Sequence, residues 1–591
     1  MCGIFGYIGT RKDAPSIVLT GLKTLEYRGY DSWGVAVVPS SGKNSIVVKK
    51  RVGKIGSGTV TEMPESTLSI GHTRWATHGG VTEKNAHPHL DCSGSIAVIH
   101  NGIIENYEAL KNPLTKTHTF ISETDSEVAS HSIEDRVKTM DFLSSVRQTF
   151  LSFEGENALI AIRNTDRSIV CVKKGSPLVV GFGKNEYFVA SDVPALIPYT
   201  NQVYYLEDGD LAVLTDSGIT IHDAKTGNEK KIAIQTVTFD TKAAEKGMYK
   251  TFMEKEMWDQ EKVIKSIANL TNEENQKIHM LAESIKKSRG TYIIGCGTAG
   301  YAALSATYLF STIAKRHINA AIASEFRYHE EFITKDSLVI ALSQSGETMD
   351  LLDAVKCAKA RGASIAALVN VPNSTLWRLS DVPIYTKAGP EIGVASTKDM
   401  TAKLSHLILL SGRVAGKENE IHDDLLKAGR EIKTLLSSAA LFQSIAKKLK
   451  KASTMFVVGR GISYPASLET ALKIKEISYI HAEGLPAGEL KHGPIALIEP
   501  GTPCMVFVPE DETKGVNLSS AMEMKARGGM IIGVSPTRHD VFDEYIPVSD
   551  CGTATIIPNI VSGQMLAYYL TLERGFDPDK PRNLAKSVTV K

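Results

Sequence analysis

The chain opens with the stretch Met1-Cys2-Gly3-Ile4-Phe5-Gly6, in which an apolar strand pattern follows directly on a cysteine. Initiator methionine is readily removed when a small residue such as cysteine comes next, so we expect Cys2 to become the N-terminal residue. Its α-amine would then titrate near pH ~8 and could act as a general base for its own thiol. The stretch therefore predicts a catalytic nucleophile, and a buried structural cysteine on a first strand is the alternative.

The composition is typical of a globular protein with several domains. The 591 residues suffice for two to four domains, and 42% of them are hydrophobic. Lysine and arginine (67) balance aspartate and glutamate (66), which gives no electrostatic support for a nucleic acid or membrane partner. No apolar run approaches the ~20 residues of a membrane helix. The seven cysteines are scattered without a CxxC pair, which favours a reducing cytoplasm and argues against a disulfide framework or a metal such as zinc.

Three polar motifs in the first third of the sequence are candidates for a catalytic site. Residues 71–80, Gly-His-Thr-Arg-Trp-Ala-Thr-His-Gly-Gly, combine charge, aromatic rings and glycine, although a loop around a buried tryptophan would look similar. The Asn101 amide and the Gly102 N–H could donate to one oxygen, whereas Asn-Gly is also the favoured two-residue hairpin turn. Residues 122–127, Ser-Glu-Thr-Asp-Ser-Glu, precede a predicted helix, which they could simply cap.

Together with Cys2–Gly9 and Tyr27–Gly34, these motifs resemble the glutamine amidotransferase domain of the N-terminal nucleophile (Ntn) hydrolase class, over residues 2 to 240. The resemblance implies an αββα sandwich. It also implies that Cys2 attacks the glutamine amide carbon and that Asn101 and Gly102 form the oxyanion hole. The glutamine-binding residues that it implies are Arg74 for the α-carboxylate, Asp125 for the α-ammonium, and Trp75, Thr77 and His78 in the same pocket.

Residues 241 to 262 are predicted to link this domain, residues 1 to 240, to the rest of the chain. Thr241–Lys250 is polar and lacks a strand pattern, and a helix pattern starts at Met248. The family's connector ends in Gln-Pro, whereas this chain has Gln260-Glu261. We therefore expect the first helix to continue beyond this point.

The remainder of the sequence contains an internal repeat. Thr291–Gly297 resembles Thr454–Gly461, with their first glycines 164 residues apart, and Lys359–Gly362 matches Lys525–Gly528 at a spacing of 166. Each copy alternates strands with helices, which predicts two parallel, doubly wound sheets. Ligands of such sheets bind at the carboxyl ends of the strands.

Three loops follow predicted strands of the first copy. Gly295–Gly300 matches GxGxxG, which alone is weak support for a dinucleotide site. Ser343–Thr348 offers three hydroxyls beside the N–H groups of a helix start, which suits the phosphate of a sugar monophosphate, although ordinary capping gives the same pattern. The third loop, Ala388–Lys398, contains Glu391 and Ser396.

The second copy holds the acid–base candidates. Pro465–Ile480 has a helix pattern in which Glu476 falls on the same stripe as Leu468 and Leu472. A carboxylate on a buried face is either paired or functional, and Lys473 at i−3 is its structural partner in the first case.

Two further polar residues lie near the end of the chain. His492 stands between glycines in the polar loop Gly488–Pro494, and Lys586 lies in Pro581–Ser587. The next residues, Val588 to Val590, are more apolar than a frayed tail. Solvated side chains remain the alternative for both His492 and Lys586.

Six motifs of this half resemble tandem sugar isomerase (SIS) domains. They are Ala323–Tyr328, Ser343–Thr348, Ala388–Lys398, Glu476–Glu483, Gly488–Pro494 and Pro581–Val590. The whole chain resembles the family of glutamine-dependent sugar-phosphate aminotransferases, which implies one SIS domain over 263–425, a second over 426–575, and an active-site tail over 576–591.

This resemblance also implies roles for the residues of the second half. Lys586 forms a Schiff base with the ketose, Glu476 moves a proton between C1 and C2 with the help of Lys473, and His492 opens the sugar ring from the neighbouring subunit of a homodimer. The residues implied for sugar-phosphate binding are Thr298, Ser343, Gln344, Ser345, Thr348 and Ser396. No metal, PLP or nucleotide takes part.

The implied reaction transfers the amide nitrogen of L-glutamine to D-fructose 6-phosphate and isomerises the product to glucosamine 6-phosphate, with release of glutamate. Ammonia must reach the sugar before it is protonated, so we expect an apolar passage between the domains. Trp75 follows Arg74 directly and is our candidate gate, with a core anchor as the alternative.

Two other functions remain open at this point. Another Ntn amidotransferase would need a diphosphate loop of acidic pairs, which the sequence lacks. A sugar-phosphate sensor built from SIS domains would not need Cys2, Glu476, His492 and Lys586 together.

Overall fold

The computed structural model describes residues 2–40, 45–237 and 245–588, which fall into two compact units. The first unit holds the N-terminal residues up to 237, and the second ends at Lys586. Met1, whose predicted removal would expose the Cys2 amine, lies outside the described residues.

The first unit consists of two antiparallel sheets and four α-helices. Its strands are β1 (Gly3–Gly9), β2 (Ser32–Val37), β3 (Val47–Val52), β4 (Leu68–Arg74), β5 (His89–Leu90), β6 (Ile96–Gly102), β7 (Asn157–Arg163), β8 (Asp166–Lys174), β9 (Val179–Phe182), β10 (Glu186–Ala190), β11 (Gln202–Tyr205), β12 (Asp210–Thr215), β13 (Gly218–Asp223) and β14 (Gln235–Thr236). Its helices are α1 (Ala14–Thr24), α2 (Tyr107–Leu114), α3 (Glu127–Arg136) and α4 (Phe142–Leu151). The strand orders are β14-β11-β9-β10-β1-β4-β2-β3 and β13-β12-β8-β7-β6-β5.

The layers of the first unit follow from the alternation of side chains along its strands. Ile4 of β1 packs with Ile99 of β6 in a core shared by the two sheets. The next residue, Phe5, points the other way and packs with Leu22 of α1. On the far side, Val98 of β6 packs in one cluster with residues of α3 and α4. The order helix, sheet, sheet, helix confirms the predicted αββα sandwich.

The second unit contains two parallel sheets with helices around them. Its elements are α5 (Phe252–Ala268), α6 (Asn272–Lys287), β15 (Gly290–Gly295), α7 (Thr298–Ala314), β16 (Asn319–Ile322), α8 (Ala323–Phe326), β17 (Ser337–Ser343), α9 (Met349–Ala360), β18 (Ser364–Val369), α10 (Thr375–Leu379), β19 (Val382–Tyr385), α11 (Lys398–Ala415), α12 (Glu418–Ser437), α13 (Ala439–Leu449), β20 (Thr454–Gly459), α14 (Ser463–Lys473), β21 (His481–Pro486), β22 (Pro503–Phe507), α15 (Lys514–Lys525), β23 (Met530–Ser535), β24 (Glu544–Pro547) and α16 (Ile556–Glu573). Across the described ranges, none of these helices is long and apolar enough to cross a membrane.

The two parallel sheets confirm the predicted repeat. Their strand orders are β16-β15-β17-β18-β19 and β21-β20-β22-β23-β24, which place equivalent strands in equivalent positions. Both faces of each sheet are covered: in β17, Val339 packs in one core cluster and Ile340 in another. Such doubly wound sheets bind ligands at the carboxyl ends of their strands.

The loops that follow the two central strands differ in chemistry. After β17 the chain runs through the hydroxyl-rich residues 343–348 into α9. After β22 it runs through Val508-Pro509-Glu510-Asp511-Glu512-Thr513 into α15. Three carboxylates of the second loop therefore stand where the first loop carries hydroxyls.

Two helices cross the domain limits drawn from the sequence. Helix α5 starts within the predicted linker, continues past Gln260-Glu261 as the missing proline predicts, and packs against α11 and α12. Helix α12 is continuous across residues 425 and 426, where we placed the limit between the two SIS domains.

The predicted helix over 465–480 is interrupted, and its predicted buried stripe is wrong. Helix α14 ends at Lys473 and a π-helical turn, Ile474–Ser478, follows it. Leu468 and Leu472 are half-buried, whereas the buried face carries Glu469 and Lys473. The spacing of Leu468 and Leu472 therefore marks the half-buried edge of the helix and not its buried face.

Candidate active site

The candidate nucleophile lies where two strands of the first unit meet. Gly3 of β1 pairs with Thr73 of β4, so Cys2 lies beside the end of β4. The Trp75 N–H donates a hydrogen bond to the half-buried Cys2 Sγ over 3.3 Å. The Cys2 carbonyl accepts from Asn101 Nδ2 at 3.0 Å and from Arg28 Nε at 3.3 Å. These contacts place Cys2 next to the predicted oxyanion-hole residue Asn101.

The Asn101 side chain is oriented by a buried histidine of the 71–80 motif, a residue for which the sequence suggested no role. His72 Nε2 lies 3.0 Å from both Asn101 Oδ1 and the His100 carbonyl. Both of these atoms are acceptors, so Nε2 carries the proton and donates. Burial lowers the pKa of His72 to about 3, which keeps the ring neutral. The Asn101 amide therefore presents its N–H₂ group toward Cys2.

The hairpin alternative for Asn101 and Gly102 is wrong, because both residues lie in β6 and pair with β7. Gly102 has φ 124°, and a Cβ atom there would lie 2.1 Å from the Glu156 carbonyl oxygen. Only glycine fits a backbone with this torsion and this neighbour.

Arg74, the predicted carboxylate clamp, is the buried last residue of β4. Its guanidinium donates to the carbonyls of His78 at 2.5 Å, Gly79 at 3.0 Å and Gly80 at 3.0 Å. The arginine thus determines the path of the loop that follows it. In this loop, Thr77 is exposed and the half-buried His78 packs edge-on against a tyrosine ring.

Asp125, the predicted ammonium clamp, is buried directly before α3. Its carboxylate accepts the Ile104 N–H at 2.8 Å and the Ser126 hydroxyl at 3.3 Å. Among the described residues, Ser126 forms no side-chain cap of α3, so capping does not explain this motif. Burial lowers the pKa of Arg74, and the charges of Asp31 and Asp125 oppose that shift. Arg74 and Asp125 are therefore close enough for the charge of Asp125 to affect the pKa of Arg74.

The predicted phosphate loop lies at the carboxyl end of β17. The Ser343 hydroxyl accepts the Gly346 N–H at 2.9 Å and lies 3.5 Å from the Thr348 hydroxyl. The Ser345 hydroxyl accepts the Glu347 N–H at 3.1 Å. Thr348 precedes α9 but forms no side-chain cap in the described chain, so ordinary capping does not account for these residues. Three predicted phosphate ligands therefore lie together in one short loop.

Thr298 and Lys473 belong to a four-residue network that joins the two repeat copies. The Lys473 Nζ atom lies 2.6 Å from Glu476 and 3.5 Å from Glu469, and it donates to the Thr298 hydroxyl at 3.0 Å. That hydroxyl donates in turn to Glu469 at 3.2 Å. Glu476 is half-buried, as a group that exchanges protons with a ligand requires.

The charges in this network shift each other's proton affinities. Burial raises the pKa of Glu469 to about 7, the charge of Glu476 adds to the shift, and Lys473 opposes it. Burial acts to lower the pKa of Lys473, but the two carboxylates outweigh it and raise that pKa. Glu469 was not among the predicted site residues, because its partner Thr298 lies 171 positions away.

The solvated-tail alternative for Lys586 is wrong. The lysine side chain is 3% exposed, and its Nζ atom lies 2.5 Å from Oε2 of Glu391, whose side chain is fully buried. Ser396 donates to the same oxygen at 3.1 Å, and the N–H groups of Thr397 and Asp399 bind the other oxygen. Burial alone would raise the pKa of Glu391, but Lys586 and these donors outweigh it and lower it to about 2.

A second buried carboxylate lies behind this pair. Glu256 of α5 accepts the N–H groups of Ile392 and Gly393, in the same loop as Glu391. Burial, together with the charge of Glu391, raises the pKa of Glu256 to about 7. The loop that holds Lys586 is thus itself held by α5.

Two predicted site residues, His492 and Gln344, lie apart from the contacts of Lys586 and Glu476. His492 ends the short 3₁₀ turn Glu489–His492 and is exposed. Gln344 is half-buried, and its backbone carbonyl accepts the Asn370 backbone N–H at 3.2 Å. Neither residue is joined to Lys586 or Glu476 by a contact in the described chain.

Comparison with protein families supports this division of the chain. The glutamine amidotransferase domain matches residues 72–198, and the SIS domain matches twice, over 284–410 and 448–572. The repeat found in the sequence is therefore a repeat of SIS domains.

Full-length relatives match from end to end. The glutamine–fructose-6-phosphate aminotransferase (isomerizing) of Pyrococcus horikoshii is 43% identical over 605 residues, and that of Clostridium tetani is 40% identical over 613. In both cases the match covers 100% of this chain and 100% of the relative.

A solved structure is similar to the second unit. The C-terminal domain of glucosamine-fructose-6-phosphate aminotransferase from Francisella tularensis superposes with a TM-score of 0.51 at 32% identity. The match covers 57% of this chain and 99% of that domain.

Proposed function

Because the chain belongs to the glutamine–fructose-6-phosphate aminotransferase (isomerizing) family, we propose specific roles for its residues in that reaction. The protein is an enzyme that transfers the amide nitrogen of glutamine to fructose 6-phosphate and isomerises the product to glucosamine 6-phosphate. One pair of arrangements carries the assignment of roles: Cys2 beside an oriented asparagine in the first unit, and two buried lysines in the second, Lys586 paired with Glu391 and Lys473 paired with Glu476.

In the first unit, the Cys2 thiolate attacks the amide carbon of glutamine. The negative charge that develops on the amide oxygen is stabilised by the Asn101 side chain and the Gly102 N–H. His72 supports this role, because it fixes the direction of the Asn101 amide. Arg74 and Asp125 hold the α-carboxylate and α-ammonium of glutamine, while Trp75, Thr77 and His78 form the wall of the pocket.

In the second unit, the hydroxyl loop from Ser343 to Thr348, with Gln344 and Ser345, binds the phosphate of the sugar. The N–H groups at the start of α9 favour an anion there. Thr298 and Ser396 complete the phosphate and sugar contacts from the two other loops. This loop carries no lysine, which suits a monophosphate better than a triphosphate.

Lys586 forms the Schiff base with the ketose, for which its ammonium must first give up a proton. Glu391 is its partner before the sugar binds, and the pair keeps the lysine in place. Glu476 then moves the proton between C1 and C2, and Lys473 lies 2.6 Å away as its partner.

Ammonia is proposed to pass from Cys2 to the sugar without protonation in bulk water, with Trp75 as the gate. We further propose a homodimer, in which the exposed His492 reaches the sugar of the partner subunit and opens its ring. A cytoplasmic location is proposed because all seven cysteines are free thiols.

The test is an incubation of the full-length protein with amide-¹⁵N glutamine and fructose 6-phosphate, followed by quantification of glutamate and hexosamine phosphate. We expect equal amounts of both products, with ¹⁵N in the amino sugar. A sugar-phosphate sensor would instead bind the sugar and release no glutamate. Another amidotransferase would release glutamate and leave fructose 6-phosphate unchanged.

The role of His492 is tested by mixing two inactive variants, His492→Ala and Lys586→Ala. If each site takes His492 from one subunit and Lys586 from the other, mixed dimers regain one intact site. Recovery of about a quarter of the wild-type activity after subunit exchange is the expected result. No recovery in verified mixed dimers would place both residues in one subunit.

A further inference from the structure

Four side chains with metal-binding atoms meet in the first unit, apart from the residues assigned to glutamine. They are Cys92, His118, His131 and Glu134, and their ligand atoms all lie within 4.8 Å of one another. Cys92 lies in the turn between β5 and β6, His118 follows α2, and the other two project from α3. Three separate segments of the chain therefore converge on one point.

The distances in this cluster fit a tetrahedral zinc site. Cys92 Sγ lies 3.5 Å from His118 Nδ1 and 3.6 Å from His131 Nδ1. Zinc bonds of about 2.3 Å to sulfur and about 2.05 Å to nitrogen would separate these atoms by about 3.6 Å along a tetrahedral edge. Glu134 Oε2 lies 2.9 Å from His118 Nδ1 and 3.0 Å from His131 Nδ1. A shift of this carboxylate by about 0.4 Å would complete the tetrahedron.

A carboxylate lies on the Nε2 side of each histidine ring, as is common in zinc sites. His118 Nε2 lies 2.9 Å from Asp135 Oδ1, and His131 Nε2 lies 3.7 Å from Glu127 Oε1. A histidine that binds zinc through one nitrogen usually donates its other N–H to a carboxylate, which fixes the ring. The His118 ring meets this condition, because Nδ1 faces the cluster and Nε2 lies within hydrogen-bond distance of Asp135. His131 also presents Nδ1 to the cluster, but its Nε2 is too far from Glu127 for a hydrogen bond and has no other partner in the described chain.

We propose that Cys92, His118, His131 and Glu134 bind one Zn²⁺ ion. The thiolate and imidazole ligands favour a borderline divalent ion such as zinc over Mg²⁺ or Ca²⁺, which prefer oxygen. Four protein ligands leave no open coordination position, so the site is structural rather than catalytic. Cys92 is exposed while both histidines are buried, which gives the ion an entry path beside the thiol.

The position of the site indicates what the ion does. His118 and His131 flank the segment that contains Ser122 to Glu127, and Asp125 lies within it. Zinc would fix both ends of this segment to the turn before β6, the strand that carries Asn101. The site would therefore hold the loop of the ammonium clamp in place. This consequence rests on the proposed role of Asp125, whereas zinc binding itself does not.

The first experiment measures zinc in the full-length protein. Protein purified without chelator is expected to contain about one zinc per chain by mass spectrometry of the metal. After removal of zinc with a chelator, titration with zinc chloride should restore one equivalent. The Cys92→Ser variant is expected to bind zinc at least about 100-fold more weakly, while the matched control Cys357→Ser, in the second unit, keeps the wild-type affinity.

The second experiment does not depend on the folding of a ligand variant. Co²⁺ bound to the chelated wild-type protein should give the visible bands of a tetrahedral ion and a thiolate charge-transfer band in the near ultraviolet. The Asp135→Asn variant keeps all four ligands and should bind zinc about 10- to 100-fold more weakly. Wild-type protein that binds zinc no more tightly than Cys92→Ser, or Co²⁺ spectra without thiolate ligation, would overturn the proposal.

The link to glutamine is measured separately. Zinc-free protein is expected to melt at a lower temperature and to show a higher KM for glutamine, with both restored by zinc. If zinc binds as described but KM does not change, the ion has no effect on the Asp125 loop. That result would leave the aminotransferase function intact and would remove only the positional role.

Discussion

The two catalytic regions of this protein hold their reactive groups by opposite means. Around Cys2, the contacts are hydrogen bonds: the Trp75 N–H, the Asn101 side chain and the Arg28 guanidinium donate to Cys2, and the neutral His72 orients Asn101. Around Lys586 and Lys473, the contacts are ion pairs between buried lysines and buried or half-buried carboxylates. A nucleophile must be oriented toward the carbon atom that it attacks. Groups that exchange protons with a sugar instead need neighbouring charges that stabilise their ionised forms.

This difference predicts which substitutions act on chemistry alone and which also act on stability. Removal of a neutral hydrogen bond costs about 0.5–1.5 kcal/mol, whereas removal of one partner of a buried ion pair costs about 3–5 kcal/mol. We therefore expect variants near Cys2 to remain folded. Variants of the buried charges in the second unit should lose stability together with activity.

The largest effect is expected from Cys2→Ala, which should lower glutamine hydrolysis by about 10⁴-fold or more. Fructose 6-phosphate binding, measured by calorimetry, should be unchanged, because its ligands lie in the second unit. Cys357→Ala serves as the control and should keep both properties. Mass spectrometry of the intact active enzyme should also show that Met1 is absent. An active enzyme that retains Met1 would contradict the α-amine as general base.

The next effect is that of Glu476→Gln, which keeps the shape of the side chain and removes the proton acceptor. We expect glucosamine 6-phosphate formation and C1–H exchange with solvent to fall by about 10²- to 10⁴-fold. Glutaminase activity should persist. The exposed Glu499→Gln is the matched control. Near-normal synthesis by Glu476→Gln would show that Glu476 is only the structural partner of Lys473.

Glu391→Gln tests the buried ion pair directly. It leaves the Lys586 charge without its partner and should lower the free energy of unfolding of the second unit by about 3–5 kcal/mol. The control is Glu331→Gln, whose ion pair with Arg361 is exposed and is worth about 0–1 kcal/mol. Denaturant unfolding measures both. Equal losses in the two variants would show that the buried pair contributes no more to stability than an exposed one.

Trp75→Ala should affect coupling rather than folding or hydrolysis. Glutamate should still form, while the yield of amino sugar per glutamate falls several-fold, because ammonia escapes to water. The stoichiometry is measured with both substrates, and circular dichroism verifies the fold. A folded variant that still yields one amino sugar per glutamate would exclude the gate. Loss of the fold would favour the core-anchor alternative.

The smallest expected effect is a slope in the dependence of stability on pH. The pKa of Glu469 is raised from its ordinary 4.5 to about 7, chiefly by burial, so the folded protein binds this proton more tightly than the unfolded chain. Its stabilising contribution is complete below pH about 4.5 and is lost as the pH rises to about 7. Melting temperatures between pH 5 and 8 should fall less in Glu469→Gln than in the wild type. An identical slope would show that Glu469 is ionised throughout this range.

The sequence predicted the parts of the sites that lie in contiguous motifs. The two parallel, doubly wound sheets and the hydroxyl loop at the end of β17 could be predicted because strand and helix periods are local properties. The αββα sandwich and the SIS identity of the repeat were expected from the resemblance to known families. The alternatives for Asn101 and Gly102 could not be separated in the same way. Only the pairing of β6 with β7 distinguishes a strand end from a hairpin turn.

The remaining features depend on contacts between distant positions. Glu391 lies 195 residues from Lys586, and His72 acquires its role only through the packing of β4 beside β6. Glu469 was missed for a further reason: Leu468 and Leu472 are only half-buried, so their spacing did not mark the buried face of α14 that carries Glu469. The Cys92 cluster has no CxxC spacing, and the sequence therefore argued against the metal that the geometry supports.

The acidic loop after β22 predicts that one chain holds a single sugar phosphate. The two SIS sheets are equivalent in strand order, and a duplicated fold would offer two anion sites at the ends of β17 and β22. Glu510, Asp511 and Glu512 would repel a phosphate dianion from the second position. On the proposed roles, the first copy receives the ligand and the second supplies acid–base residues, so calorimetric titration should give one fructose 6-phosphate per chain.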